Sequence, residues 1–477
     1  MFDSGLLLCY HRHMKTGDKL FCGDGRASGF IDRALASPLY FALLILSCAI
    51  PYIFGAYEVG FWLCAVFMSL ALVLTRNILP SFAAFIFCTI SVIEQYGITY
   101  EEIFGYAGVL AVVIPALIYH IFRYRKGRRG YKPGRMFLPQ AAVSAALLLG
   151  GAGSISAEEY FALSPAYYVL FLGVALLAIM VFCDCDLPFD RGYVSAYIAD
   201  VLIAAAALFS LMWLIAFLKD GGSGFPYRQW KNNAGNFMLL AMPLTLWRGI
   251  SSRIKAAHLF FALLQLALVF LSGSRGATLM MALIFLPSLI TYFVYMKDRA
   301  RLLTEAALLA AAFFVFAALF LLEGAKKLVE FIENMDIFDG NGREELYEVG
   351  ISNIFSHPLL GVGIGYRNDE VWQLNDMAVF WYHSTPIQIF ASMGALGGAA
   401  YLWQLIARLK LVRLNAFSLS VLWGFLGFEG YSCVNTGDFT PLPFALLVVM
   451  LFLVLERYNC DLPRLDEGEG VDFVRAY

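Results

Sequence analysis

"HLFFALLQLALVFLSGSRGATLMMALIFLPSLITYFVYM", His258–Met296, decides the fold class. Two long apolar runs flank the short break SGSRG, in which Arg275 is the one charged residue. Each run is long enough for an α-helix to cross a hydrocarbon core about 30 Å thick, and a helix satisfies its own backbone polar groups where water is absent. The stretch therefore reads as two membrane helices joined by a tight turn.

The pattern repeats in both directions. Of 477 residues, 60% are hydrophobic and 15% charged, with mean hydropathy +0.71; soluble domains carry about 25% charged residues. A soluble enzyme is excluded on these values. A β-barrel would instead show alternating segments of about ten residues. Fourteen apolar stretches begin near Pro38, Gly60, Ile78, Gly105, Met136, Tyr160, Val194, Asn236, His258, Thr278, Leu302, Ser384, Ala416 and Leu442. The expected fold is an all-α polytopic membrane helical bundle of about 12–14 transmembrane helices with one large extracytoplasmic loop. The expected division is a cytoplasmic segment over 1–36, eleven spans over 37–322, the loop over 323–382, three spans over 383–456 and a cytoplasmic tail over 457–477. The first apolar run follows 36 mixed residues, so no cleavable leader is expected and the first span is read as directing insertion.

Basic residues set the orientation. With the amino terminus inside, 26 of the 34 lysines and arginines fall on the cytoplasmic side and 8 outside. Both termini are then cytoplasmic. The densest run, "RYRKGRRGYKPGR" from Arg123 to Arg135, is read as this topology signal and not as a nucleic-acid site; its membrane partners are lipids. The 9 cysteines are scattered and suggest no disulfide framework, and "CDCD" at Cys183–Asp186 lacks a second ligand pair for a metal.

The loop from Glu323 to Tyr382 is too rich in large apolar residues for disorder. Its middle, "NGREELYEVGISNIFSHPLLGVGIGY", reads as a helix on the outer membrane surface or over a cavity, with Glu344 and Glu345 in its first turn. "GVGIG", Gly361–Gly365, lacks phosphate-loop spacing and reads as a tight turn.

Three charged or titratable residues stand out on the outer face. Arg275 fits an arginine snorkelling from a helix end, or a ligand contact in which Ser272, Gly273, Ser274 and Gly276 let backbone amides approach a phosphate. Arg343 fits a solvated helix start or a guanidinium turned toward the membrane. His383, in "WYHSTPIQIF", fits an interfacial histidine beside Trp381 and Tyr382, or a base: Thr385 is expected as N-cap and Pro386 as first helical residue, and the positive helix end keeps the imidazole neutral. Taken together they suggest substrate binding by Arg275, Arg343 and Ser274 at a diphosphate, with proton removal by His383 from an attacking hydroxyl. Guanidinium charge can neutralise the leaving diphosphate, so no metal or other cofactor is expected.

Four pieces then resemble the O-antigen ligase and O-antigen polymerase superfamily of bacterial membrane glycosyltransferases. "KNNAGNFMLLAMPL", Lys231–Leu244, is similar to the family's asparagine-containing start of a span. "SGSRGA", Ser272–Ala277, is similar to its outward-facing arginine motif. "GREELYEVGISNIFSHPLLGVGIG", Gly342–Gly365, is similar to its loop helix and glycine turn. "HSTPIQIFASMGALGG", His383–Gly398, is similar to its histidine motif and glycine-rich span. Tyr347 stands where many relatives have tryptophan, and Ser384 where many have asparagine. The resemblance implies a GT-C-like bundle in the bacterial cytoplasmic (inner) membrane. It implies an undecaprenyl-diphosphate-linked glycan donor held by Arg275 and Arg343, and a glycan or lipid-glycan acceptor activated by His383. Direct displacement would then give inversion at the anomeric carbon, whereas a loop carboxylate such as Glu344, Glu345 or Asp369 acting as nucleophile would give retention. Ligase and polymerase share the donor and differ in acceptor. A lipid-linked oligosaccharide flippase or secondary transporter would also carry many helices and intramembrane arginines, with its site near the midplane between repeats.

Overall fold

The computed structural model describes residues 26–93, 106–124, 133–154, 169–188, 190–219, 231–296, 298–307, 310, 343–364, 382–435, 437 and 443–459. These form α1 (Arg26–Leu35), α2 (Pro38–Phe54), α3 (Tyr57–Leu74), α4 (Ile78–Ile93), α5 (Leu110–Tyr124), α6 (Phe137–Leu149), α7 (Leu176–Asp186), α8 (Arg191–Lys219), α9 (Lys231–Ser251), α10 (Lys255–Leu271), α11 (Arg275–Tyr295), α12 (Arg343–Ser356), α13 (Thr385–Lys410), α14 (Ala416–Ser432) and α15 (Phe444–Asn459). There is no strand among the described residues. The chain is an all-α polytopic membrane bundle. Among the described residues six helical segments are long and apolar enough to cross a membrane, namely Tyr57–Leu74, Tyr106–Tyr124, Val169–Asp186, Arg191–Ala216, Arg275–Tyr295 and Thr385–Lys410, and α2, α4, α6 and α10 are shorter apolar helices. Thirteen of the fourteen expected spans coincide with these or other described helices; the one beginning at Leu302 lies largely outside the described residues.

Lipid as solvent explains which side chains face out. On α11, Leu279, Leu283, Leu286, Ile290 and Val294 are exposed along one helical stripe, while Ala277, Met281, Ile284 and Ser288 are buried on the other. Between helices the driving force is packing, so small residues sit where helices cross. A Cβ on Gly424 would lie 3.2 Å from the carbonyl oxygen of Leu240, and one on Gly235 2.8 Å from the Cβ of Ala277. Helix α9 is thereby enclosed by α8, α10, α11 and α14.

Charges inside the bundle are paired, as low dielectric requires. Arg408 is 2% exposed, pairs with Glu429 at 3.4 Å and lies over the rings of Phe425 and Phe452. Arg76 pairs with Asp186 at 3.6 Å, and Arg457 with Asp184 at 2.9 Å. Arg408 of α13 is thus a buried contact to α14, and Arg76, between α3 and α4, is buried against the end of α7. The two carboxylates of "CDCD" serve arginines.

Candidate active site

The break between α10 and α11 is two helices turning in three residues. Ser272 caps the end of α10, Gly273 takes the left-handed φ of 68° that reverses the chain, and Ser274 is the N-cap of α11. Ser272 Oγ donates to the carbonyl of Val269 at 2.6 Å and accepts the N–H of Ser274 at 3.2 Å. The Ser274 hydroxyl lies 3.2 Å from Asn232 Oδ1 and 2.9 Å from the Tyr431 hydroxyl, which itself donates to Asn232 Oδ1 at 2.7 Å. Three helices meet in this triangle. Ser274 is 4% exposed, so it stands one layer behind Arg275, which is half-buried at the first position of α11. Gly276 lets α14 come close: a Cβ there would lie 2.9 Å from Val434 and 3.0 Å from the Tyr431 ring. Its small size serves helix contact, whereas the sequence suggested ligand approach.

Arg343 opens α12 and is half-buried, its Nη1 donating to the carbonyl of Val434 at 2.6 Å. Val434 therefore touches both the first turn of α11 and Arg343. His383 lies on the same side, since the Arg343 guanidinium acts on its protonation. Burial first, and then Arg343, pushes the His383 imidazole below its usual 6.5, while a hydrogen bond with the Asn435 side chain opposes them. Nδ1 of His383 is buried without a hydrogen-bond partner among the described residues. Ser384, not Thr385, is the N-cap of α13; Thr385 is the first helical residue and Pro386 the second, which leaves His383 just before the cap as expected.

His383 has φ 50°, the left-handed region that non-glycine residues rarely adopt, and its neighbours hold it there. The N–H of Tyr382 donates to Gln388 Oε1 at 3.2 Å, and Asn353 Nδ2 of α12 donates to the Tyr382 hydroxyl at 2.8 Å. At Gly350 of α12 a Cβ would come within 2.3 Å of Ile387, so α12 lies directly on the first turn of α13.

The glycine turn explains why α13 stays in place although it is broken. Gly394 has φ 60° and ψ −155°, which interrupts the helical ladder inside an apolar span. The turn after α12 inserts there. The N–H groups of Val362 and Gly363 donate to the carbonyls of Ala391 and Ser392 at 2.8 and 3.0 Å, and those of Ala395 and Leu396 donate to Pro358 and Leu359 at 2.8 and 3.2 Å. In hydrocarbon each unmet group would cost several kcal/mol, so turn and break require one another. The segment after α12 thus packs into α13 at the level of Gly394, within the helix and not at its end.

Arg343, His383 and Ser274 are brought together around residues 431–435, and Arg275 adjoins Ser274. Tyr431, Asn435 and Asn232 were missed as site residues. The polar run "YSCVNTGD" at the end of an apolar helix was the available signal for the first two, and Asn232 lies in the quoted "KNNAGN". Tyr431→Phe is expected to lower stability by about 1–3 kcal/mol, because Asn232 and Ser274 lose a buried partner. Thermal unfolding in detergent, beside an exposed control such as Tyr347→Phe, checks this.

Comparison with curated proteins gives no match. A family model described as O-antigen ligase matches residues 260–402, which include Arg275, Arg343 and His383. Through this central segment the chain is similar to the O-antigen ligase family.

Proposed function

We propose that this chain is a membrane glycosyltransferase that moves a glycan from an undecaprenyl-diphosphate donor to an acceptor hydroxyl at the outer face of the cytoplasmic membrane. The observation that carries the reading is His383: a half-buried imidazole whose pKa burial and Arg343 lower, with an Nδ1 that has no partner among the described residues, inside the segment that the family model matches. A protonated histidine could not take a proton; this one can.

In the proposed step the acceptor O–H gives its proton to His383 while its oxygen bonds to the anomeric carbon. The bond from that carbon to the diphosphate oxygen breaks with its electron pair, and the diphosphate leaves toward Arg275 and Arg343. Attack opposite the leaving group gives inversion. The two guanidiniums supply the positive charge that the departing diphosphate needs, so turnover without added metal is part of the proposal. Donor and acceptor are lipid-anchored, which fits a site at one end of a membrane bundle. The role proposed for Arg275 and Arg343 concerns the donor alone, so the reading covers ligase and polymerase alike.

The test is reconstitution with a defined undecaprenyl-diphosphate glycan and candidate acceptors. Release of undecaprenyl diphosphate with formation of a glycosylated acceptor supports the reading, and product length separates ligase from polymerase. Glycan lipid crossing the bilayer without any transfer would replace it with a flippase. The pH dependence is a further check. The base works deprotonated and its pKa is lowered, so kcat should rise with pH along a limb centred below 6.5 and be flat by neutrality. A limb centred above 7 would remove His383 from the role.

A further inference from the structure

Tyr431 in the last turn of α14 and Val434 just after it lie beyond the matched segment, which ends at residue 402, yet each bears on one of the two arginines within it. Tyr431 is 3% exposed. Its hydroxyl meets the Ser274 hydroxyl at 2.9 Å and donates to Asn232 Oδ1 at 2.7 Å, and a Cβ on Gly276 would come within 3.0 Å of its ring. One side chain thus touches both chain neighbours of Arg275. Ser274 is fixed at its other polar atoms as well. Its N–H donates to Ser272 Oγ at 3.2 Å, and its carbonyl accepts the N–H and the hydroxyl of Thr278, each at 2.9 Å. With residues 274 and 276 both held, the backbone from which the Arg275 side chain departs is fixed before any ligand arrives.

Val434 takes the other arginine. Its carbonyl accepts Arg343 Nη1 at 2.6 Å, a bond that occupies one of the five N–H donors of a guanidinium. The N–H groups of Cys433 and Val434 donate to the carbonyls of Gly430 and Tyr431 at 3.3 and 3.1 Å, so the chain continues as a tight turn and Val434 keeps a fixed offset from Tyr431. One short stretch therefore carries the backbone of one arginine and the guanidinium of the other.

Two guanidiniums repel, and more strongly at low dielectric, so a spacing between them has to be imposed by what holds them. The spacing matters for the ligand. A phosphate monoester presents one phosphoryl group and can be gripped by one guanidinium fork, whereas a diphosphate ester presents two and can occupy two forks at once only if they stand at the matching span.

We infer that the end of α14, Tyr431 to Val434, is the spacer of the two arginines: it positions Arg275 through Ser274 and Gly276 and Arg343 through a backbone carbonyl, and so selects a diphosphate over a monophosphate. This deepens the glycosyltransferase reading and rests on it for the identity of the anion. Tyr431 is a positioning residue, one layer behind the ligand, as Ser274 is.

The experiment is competition by undecaprenyl diphosphate and by undecaprenyl phosphate for a fluorescent polyprenyl diphosphate bound to the full-length protein in detergent micelles. The wild type should bind the diphosphate about 10-fold or more tightly than the monophosphate, the worth of one added charge-assisted contact. Tyr431→Phe keeps the ring against Gly276 and loses the hydroxyl. It should weaken diphosphate binding by about 10-fold and leave monophosphate binding within about twofold. Ser274→Ala leaves the bond from Tyr431 to Asn232 in place, so it should fold even where Tyr431→Phe does not, and it should show the same selective loss. Arg275→Ala should bring the diphosphate down to the monophosphate level, and Ser274→Ala added to it should change nothing further, because the serine acts through the arginine. Ser274→Thr, which keeps a hydroxyl, should recover most of the preference. Equal weakening of both ligands, or a loss from Ser274→Ala that persists beside Arg275→Ala, is what a merely structural role would give and overturns the inference. A wild type that transfers glycan without preferring the diphosphate also overturns it and leaves the transferase reading standing. The expected binding pattern in a protein that transfers glycan to no acceptor keeps the spacer and overturns the transferase reading.

Discussion

His383→Ala is expected to lower the turnover of glycan transfer by about 10²- to 10⁴-fold, the range a positioned general base contributes. Donor KM should change little, because the diphosphate is assigned to Arg275 and Arg343. Folding should survive, since Nδ1 makes no hydrogen bond among the described residues that its loss would leave unmet, and alanine at this position keeps the Tyr382 and Ser384 backbone contacts. The residual cost is the left-handed φ of 50°, which alanine tolerates no better than histidine. His383→Gly relieves that φ and still lacks the base, so it should be as inactive as His383→Ala while at least as stable. A variant with wild-type turnover in either form would remove the histidine from the chemistry and leave the arginines as a binding site alone. Added imidazole that restores part of the His383→Gly rate would place the defect at the proton.

Gly394→Ala should produce the largest structural effect. A Cβ there would lie 2.3 Å from the carbonyl carbon of Leu359 and 2.4 Å from its oxygen, both backbone atoms of the inserted turn. The clash cannot be relieved by a side-chain rotation, and φ 60° with ψ −155° is a conformation open essentially to glycine. Strain and overpacking together should cost roughly 3–5 kcal/mol. The turn would leave the break, exposing the carbonyls of Ala391 and Ser392 to hydrocarbon, and α12 with Arg343 would lose its anchor. Transfer should fall with stability. Gly55→Ala is the control: Gly55 also has positive φ, 69°, but nothing lies within 4 Å of its Cβ position. It should show only the strain of about 1–2 kcal/mol. Equal losses in the two variants, read from thermal unfolding and from protease sensitivity of the 357–364 segment, would mean that the insertion contributes nothing.

The two predictions differ in how much of their basis was visible in the residue order. Arg275, Arg343 and His383 each interrupt or border an apolar run, and a charge or imidazole in such a place is conspicuous because lipid makes it costly. Their side of the bundle also followed from the spacing of runs and breaks. Tyr431 and Asn232 carry no such mark. Each is an ordinary polar residue near a helix end, and its meaning lies in the triangle that α9, α11 and α14 make of residues 232, 274 and 431. The glycines were misread for a related reason. Gly276 in "SGSRG" can face a ligand or a neighbouring helix, and only the packing of Val434 and Tyr431 against it decides for the helix. The turn "GVGIG" likewise gives no hint that its N–H groups are matched to carbonyls about 30 residues further along the chain, released by a break at Gly394.

By itself the sequence determined that this protein is a helical membrane bundle, and where most of its helices run. Hydrocarbon imposes a local rule: about 20 apolar residues must close their own hydrogen bonds. It also marked the arginines and the histidine, since a charge is either paired or functional at that depth. Only the tertiary structure decided that α13 is broken and mended by a distant turn, and that Tyr431, Asn232 and Ser274 join three helices beside the arginines. Those features depend on hydrogen bonds between segments far apart in the chain, whose directions are set by how the helices pack.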